Sequence, residues 1–320
     1  MYIIESSKFG NFEKIFLRNE ATQEYAAIIP DFGANLNEVV LSNGLKTFPV
    51  VDGDVNAHDL VINAVYKSAK LTPFPNRINK GKYEFEGNTH ELLTNMPPHA
   101  IHGLVFDKSF TIVSKIASSD SAALTVMYPY RMETVGFPFS FDVYIEYLLD
   151  ADGLTTTTTI TNTGEGNIPV GDGWHMYFQC PCKIDDCLLT VPSDYILIPD
   201  STLIPTGDKK AFTLFNAPLI FSNTTFDDCF SIVPDNKIAE VVLTDVQNDL
   251  SVISWQETGE RKYNYLQIFT PLHRESMAIE PMTCQPDAFN NHEGLIILKP
   301  KEQVVLRCGI KAERARPNIG

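Results

Sequence analysis

The chain has 320 residues, 44% of them hydrophobic, with 25 basic against 40 acidic side chains and a formal net charge of −15. That apolar content excludes a disordered chain, and no run approaches the ~18 uninterrupted apolar residues of a membrane-spanning helix. The acidity argues against a general nucleic-acid or anionic-lipid binder.

The N-terminal MYIIESSKFG reaches Glu5 at once and lacks the basic start and long apolar core of a secretory signal, so the expected location is the cytoplasm. From there the dominant period is two. β-rich runs fall near 12–18, 36–42, 109–115 and 122–130, and a further strand near 82–85. Over 141–149, Phe141, Val143, Ile145, Tyr147 and Leu149 share one face, the pattern of a half-buried strand. The threonine-rich stretch 154–162 (LTTTTTITN) is β-branched and predicts a solvent-facing strand. Further runs lie near 174–179, 238–244, 250–255, 263–269, 276–280 and 304–310.

Turn clusters such as Asp152-Gly153, Thr163-Gly164-Glu165-Gly166-Asn167 and Pro234-Asp235-Asn236 separate these runs. No segment holds a 3.6-residue period over ~11 residues with caps at both ends. The 20 prolines and 18 glycines are spread without a concentrated linker. The expected architecture is therefore all-β, a large antiparallel β-sandwich formed by a single domain over residues 1–320. Six cysteines in a chain of this length do not form a disulfide framework. Cys180, Cys182 and Cys187 make a C-x-C-x4-C cluster with no second paired element after it, so partly buried thiols are expected rather than a metal site.

Four polar clusters fall where loops or sheet edges are expected. Thr72-Pro73-Phe74-Pro75-Asn76-Arg77 is a stiff loop leading into a strand, and composition alone favours a surface turn with a solvated arginine. In Asn95-Met96-Pro97-Pro98-His99-Ala100-Ile101-His102-Gly103, Gly103 permits a turn that projects His102 inward, although taken alone His102 reads first as a packed histidine; His99 is the weaker candidate. In Gly171-Asp172-Gly173-Trp174-His175-Met176-Tyr177-Phe178, His175 and Tyr177 share one face, and Trp174 and Met176 the other. That strand suits a cleft floor and an ordinary core alike. The fourth cluster runs from Met277 to Asn290. There Glu280 ends an apolar strand before Pro281, and a partly desolvated carboxylate has its pKa pushed upward, which makes it a better proton acceptor.

In this order the clusters resemble the aldose 1-epimerase (galactose mutarotase) family. Asn76-Arg77-Ile78 is similar to its N-R-I segment, His102-Gly103 to its His-Gly pair, and His175-Met176-Tyr177-Phe178 to its H-x-Y-F strand. Glu280-Pro281 with Pro286-Asp287-Ala288-Phe289-Asn290 resembles E-P…P-D-A-F-N. Asp227-Asp228-Cys229-Phe230 looks like a D-x-x-F element, and Gly136-Phe137-Pro138 like a G-F-P turn. The resemblance spans about residues 70 to 310.

It implies a mutarotase-like supersandwich fold, a catalytic glutamate at Glu280, a catalytic histidine at His175, and substrate-holding Arg77, His102, Asp227 and Asn76. It implies no cofactor and no metal, with a small sugar as partner and a monomer or homodimer as the assembly. The chain departs from the family's pattern at Gln179, at Thr72-Pro73-Phe74-Pro75 and at Leu104-Val105; the last two are expected to line the pocket mouth.

Interconverting anomers opens the hemiacetal, rotates about C1–C2 and recloses the ring. That chemistry needs a base for the O1 proton and an acid for the ring oxygen. Glu280 as base and a protonated His175, near its ordinary pKa of ~6.5 and facing it across the sugar, would supply them. Three rivals stand beside this. They are a hexose-6-phosphate 1-epimerase drawing on Lys80, Lys82, His273 or Arg274, a non-catalytic carbohydrate-binding protein, and a glycoside hydrolase using Asp227 and Glu280.

Overall fold

The computed structural model describes residues 1–232 and 238–315, so the predicted turn at Pro234-Asp235-Asn236 lies outside the described residues. Three antiparallel sheets dominate. A nine-stranded sheet runs in the order Thr111–Ala117, Ser121–Arg131, Ser140–Asp150, Gly153–Asn162, Gln303–Glu313, Leu250–Glu257, Ile238–Asp245, Leu188–Thr190 and Leu219–Ile220. A five-stranded meander comprises Tyr2–Phe9, Phe12–Asn19, Tyr25–Ile29, Asn35–Ser42 and Thr47–Pro49. A six-stranded sheet follows the order Tyr177–Gln179, Ser276–Met282, Tyr265–Phe269, Asp227–Ser231, Tyr195–Pro199 and Pro205–Ala211.

The period-two reading explains why the layers close. Phe141, Val143, Ile145, Tyr147 and Leu149 are all buried, and the residues between them are not. They join one continuous core with Ile15, Leu17 and Ile28 of the meander and with Leu266, Ile268, Met277 and Ile279 of the six-stranded sheet. Each such side chain contributes about 1.5–3 kcal/mol on burial. The Tyr147 hydroxyl donates to the Ala34 carbonyl, tying the large sheet to the meander.

The structure corrects three details of this expectation. The threonine stretch is a strand, but it is not solvent-facing: Leu154, Thr156, Thr158, Ile160 and Asn162 are buried on one face. Thr156 bonds Cys308 and Thr158 accepts from a buried lysine, so hydroxyls take core positions where polar partners await them. The run near 174–179 is a strand only from Tyr177, preceded by isolated bridges from Gly173 to Met282 and from Trp174 to Lys70. A short helix, Ala57–Ile62, stands in this otherwise all-β pattern. Its N-cap Asn56 accepts from the Asp59 N–H, and it delivers residues 64–66 to the site described next.

Candidate active site

The six-stranded sheet has two chemically different faces. Phe178, Ile279, Met277, Leu266 and Ile268 point into the core. By strand alternation Tyr177, Glu280, Gln267, Phe269 and Asp227 point the other way, into a pocket of about 180 Å³. That is below the ~300–1,000 Å³ of pockets for drug-sized ligands, and gives room for one small ring compound.

Strand register explains how His175 and Glu280 meet. Tyr177 pairs with Ala278 and Gly173 bridges Met282, so the same ladder sets His175 opposite Glu280. Their Nε2 and Oε1 atoms are 3.4 Å apart, with both side chains almost fully buried. The His175 ring stacks on Tyr177 at 5.2 Å between centroids and meets His102 edge-on at 5.1 Å.

The roof is made of loops. Arg77 pairs with Ile101, and His102 N–H donates to the Asn76 carbonyl, so Asn76, Arg77 and His102 descend on one two-stranded turn. Gly103 has φ +76°, and a Cβ there would lie 2.3 Å from the Thr72 carbonyl oxygen, so the turn requires glycine. Tyr66, Asn76 and His102 themselves adopt left-handed φ of 55°, 56° and 65°. Such strained positions typically cost about 1–3 kcal/mol each and gather at functional sites. Asn76 Nδ2 donates to Gln267 Oε1 at 3.4 Å, and Gln267 Nε2 donates to Asp227 Oδ1 at 2.8 Å. Asp227 itself stands exposed at the lip.

Burial dominates the electrostatics. It holds the Glu280 carboxyl well above its usual 4.5; Asp227 adds to this and Arg77 opposes it. Burial pushes His175 down to about 4, and His102 well below 6.5 with help from His175 and Arg77. Glu280 Oε2, His175 Nδ1 and His102 Nδ1 are buried without a hydrogen-bond partner among the described residues.

The arrangement is a buried carboxyl–imidazole pair on a sheet floor beneath a polar roof, and the chain as a whole is similar to known proteins. The family model for aldose 1-epimerase fits residues 14–311. The chain belongs to the aldose 1-epimerase family. It is 28% identical over 289 residues to the uncharacterized YihR of Escherichia coli K12, covering 87% of each chain. It is 30% identical to human galactose mutarotase over 149 residues, 45% of this chain and 42% of that one. A galactose mutarotase-like protein from Clostridium acetobutylicum superposes with a TM-score of 0.87 at 21% identity, covering 98% of this chain and 99% of that one. The large antiparallel β-sandwich is thus the galactose mutarotase-like fold.

Within this aldose 1-epimerase scaffold, the six candidate residues Glu280, His175, Arg77, His102, Asp227 and Asn76 all line one pocket. Gln267, which the sequence reading passed over, lies opposite Glu280 in the register. Its signal was the alternation 263, 265, 267, 269, which sets Gln267 on the face of Phe269.

Four expectations are corrected. His175 is not near its ordinary pKa, because burial disfavours the imidazolium. Glu280 and His175 lie side by side rather than across a sugar ring. Thr72 and Val105 are fully buried beneath the site and, with Leu104, do not line its mouth. Lys80, Lys82 and His273 are exposed away from the pocket, and Arg274 is engaged by Asp185 at 2.5 Å and by the Ser222 and Thr224 carbonyls. Among the described residues no group of three or more His, Cys, Asp or Glu is arranged to hold a metal, and no helix is long and apolar enough to cross a membrane.

Proposed function

We propose that this member of the family is a mutarotase for a free aldohexose. In this reading Glu280 and His175 are the proton-transfer pair, and Arg77, His102, Asp227 and Asn76 hold the sugar. The observation that carries it is the 3.4 Å approach of His175 Nε2 to Glu280 Oε1 on the pocket floor. Ring opening takes a proton from O1 and delivers one to the ring oxygen. Both oxygens are bonded to C1, so two neighbouring groups reach them better than two opposed ones.

The pair shares one proton. Burial raises the Glu280 pKa and lowers that of His175, so in the sugar-free pocket it favours the neutral form of each. A sugar O1–H donating to Glu280 favours the carboxylate, and Arg77 acts in the same direction. The proton then passes to His175 and on to the ring oxygen, and closure on the other face reverses the path. The chemistry itself calls for no metal or nucleotide.

Cytoplasmic location and activity on unphosphorylated sugar belong to the same proposal. Support for the latter is that Arg77 is the one Lys or Arg lining the pocket among the described residues. Polarimetry of galactose, with glucose-6-phosphate run in parallel, tests it. Glu280→Gln and His175→Asn should each lose most turnover while staying folded. Near wild-type rates in either would refute the assignment, and binding without acceleration in the unmodified protein would leave a sugar-binding protein.

A further inference from the structure

The Gly171-Asp172-Gly173 loop lies outside the pocket, and nothing in the proton-transfer scheme uses it. Asp172 continues the ladder that carries the pair: its N–H donates to Thr283 Oγ1 at 2.9 Å, and its carbonyl accepts from the Thr283 N–H at 2.9 Å. Its side chain points away from the sugar face, on the side of Trp174, and is wholly buried. There the carboxylate collects three donors. Lys70 Nζ lies 2.6 Å away, the Tyr263 hydroxyl 2.7 Å, and the Thr72 hydroxyl completes the set. Lys70 is itself fully buried, donates to Thr158 Oγ1 at 2.8 Å and sits 4.3 Å over the Trp174 ring.

Two of the donors, Lys70 and Thr72, lie on one segment that runs from the backbone beside His175 into the loop of Asn76 and Arg77. Lys70 is flanked by the backbone bonds His175 N–H to Ala69 carbonyl, 3.0 Å, and Leu71 N–H to Gly173 carbonyl, 2.9 Å. Thr72 stands five residues before Arg77, and its carbonyl accepts the Leu104 N–H two residues beyond His102. The neighbouring glycines serve the same junction. A Cβ on Gly171 would lie 2.5 Å from Cys284 Sγ and 2.9 Å from Pro75, and one on Gly173 would lie 3.0 Å from Pro75. Bare backbone there lets the Pro73–Pro75 loop close onto the segment that carries His175.

We propose that Asp172, with Lys70 and Thr72, is the positioning cluster that aligns the sugar-holding loops with the proton-transfer pair. It touches no substrate. One buried carboxylate joins the half of the site that grips the sugar (Asn76, Arg77, His102) to the half that reacts with it (His175, Glu280). Cutting the link leaves both halves present and displaces one against the other. A displacement near 1 Å can cost ~10²-fold in rate while binding persists.

The inference rests on the mutarotase reading, so its test carries a readout independent of turnover. Asp172→Asn strands the Lys70 ammonium in the core and threatens folding, so the informative variant is Thr72→Val, which keeps both charges and deletes one hydroxyl. With the folded fraction checked by thermal melting, Thr72→Val should lower kcat about tenfold or more and move KM less than twofold. Thr72→Ser, which restores the hydroxyl, should recover most of that loss. The ¹⁵N resonances of the His175 imidazole, assigned by their disappearance in His175→Asn, should shift in Thr72→Val and return in Thr72→Ser. Unchanged kcat and unchanged His175 resonances in a folded Thr72→Val protein would overturn the proposal. So would equal losses in the valine and serine variants. If the unmodified protein turned over no sugar, the functional reading would fail, and the imidazole shifts alone would still decide whether the cluster positions His175.

Discussion

The nine-stranded sheet and the pocket face of the six-stranded sheet share one strand geometry and bury opposite chemistries. In the first, Phe141, Val143, Ile145, Tyr147 and Leu149 fill a continuous apolar core. In the second, Glu280, Gln267 and His175 are buried too, two of them with polar atoms that have no partner among the described residues, and the loops above them hold left-handed backbone at Tyr66, Asn76 and His102. The first region stabilises the fold. The second draws on that stability to keep titratable groups buried.

The sharpest way to break this contrast is to delete side chains from both regions. Phe141→Ala should cost about 3–5 kcal/mol of stability and leave kcat per folded molecule unchanged. Glu280→Gln should lower kcat by ~10²–10⁴-fold and leave stability unchanged or raised, because it removes a carboxyl that burial holds far from its ordinary pKa. Paired urea titrations and polarimetry read both numbers. A Glu280→Gln protein as destabilised as Phe141→Ala would show that the pocket face is ordinary core.

The same comparison has a pH signature. His175 is depressed from 6.5 to about 4, so its contribution to stability is intact above pH 6.5 and is lost as the pH falls toward 4, by an amount on the order of 3 kcal/mol. His102 acts in the same direction. Glu280 has the opposite sign. Its folded pKa is raised, so above about 4.5 the unfolded chain ionises first and stability declines as the pH climbs. Urea unfolding between pH 7 and pH 4.5 should show a shallower acid loss in His175→Asn than in the unmodified protein. Identical slopes would mean that His175 is not held neutral by burial.

Arg77→Ala sharpens the division inside the site itself. If the arginine holds the sugar while the floor does the chemistry, KM should rise about tenfold, some 1.4 kcal/mol, with kcat little changed. A kcat loss at constant KM would move Arg77 into the proton-transfer step.

How far the sequence could be read follows from the same divide. Period-two alternation reports which face is buried, and it placed the strands at Phe12–Asn19, Ser121–Arg131, Ser140–Asp150, Leu250–Glu257 and Gln303–Glu313 close to where they lie. It does not report what buries a face. The depth that depresses His175 comes from loops near 64–66, 76–77 and 101–102, brought over it by long-range pairing such as Arg77 with Ile101. The six candidate residues stand out in the sequence because their spacing resembles a family, and the structure sets all six around one pocket. Their pKa values and their side-by-side arrangement were not, since both depend on cross-strand register and on the roof. Residues 72 to 75 were misassigned to the pocket mouth for the same reason: nothing local reveals that Thr72 turns inward to a carboxylate a hundred positions away.

The threonine strand offers the finest test, because neighbouring identical residues fall on its two sides. Composition makes Thr157 and Thr158 equivalent, and alternation alone leaves open which faces inward. In the structure Thr158 is fully buried and its hydroxyl accepts from the Lys70 ammonium, while Thr157 remains half-buried opposite Glu146 and Arg307. Valine has nearly the same shape as threonine, so each Thr→Val change isolates a hydroxyl. Thr158→Val should cost about 1 kcal/mol, the net worth of one hydrogen bond, because Lys70 keeps Asp172 but loses its second acceptor. Thr157→Val should fall within about 0.5 kcal/mol of the unmodified protein. Equal effects in urea unfolding would mean that the hydroxyl at 158 does no more for the buried ammonium than a methyl group, and that Asp172 alone keeps that charge in the core.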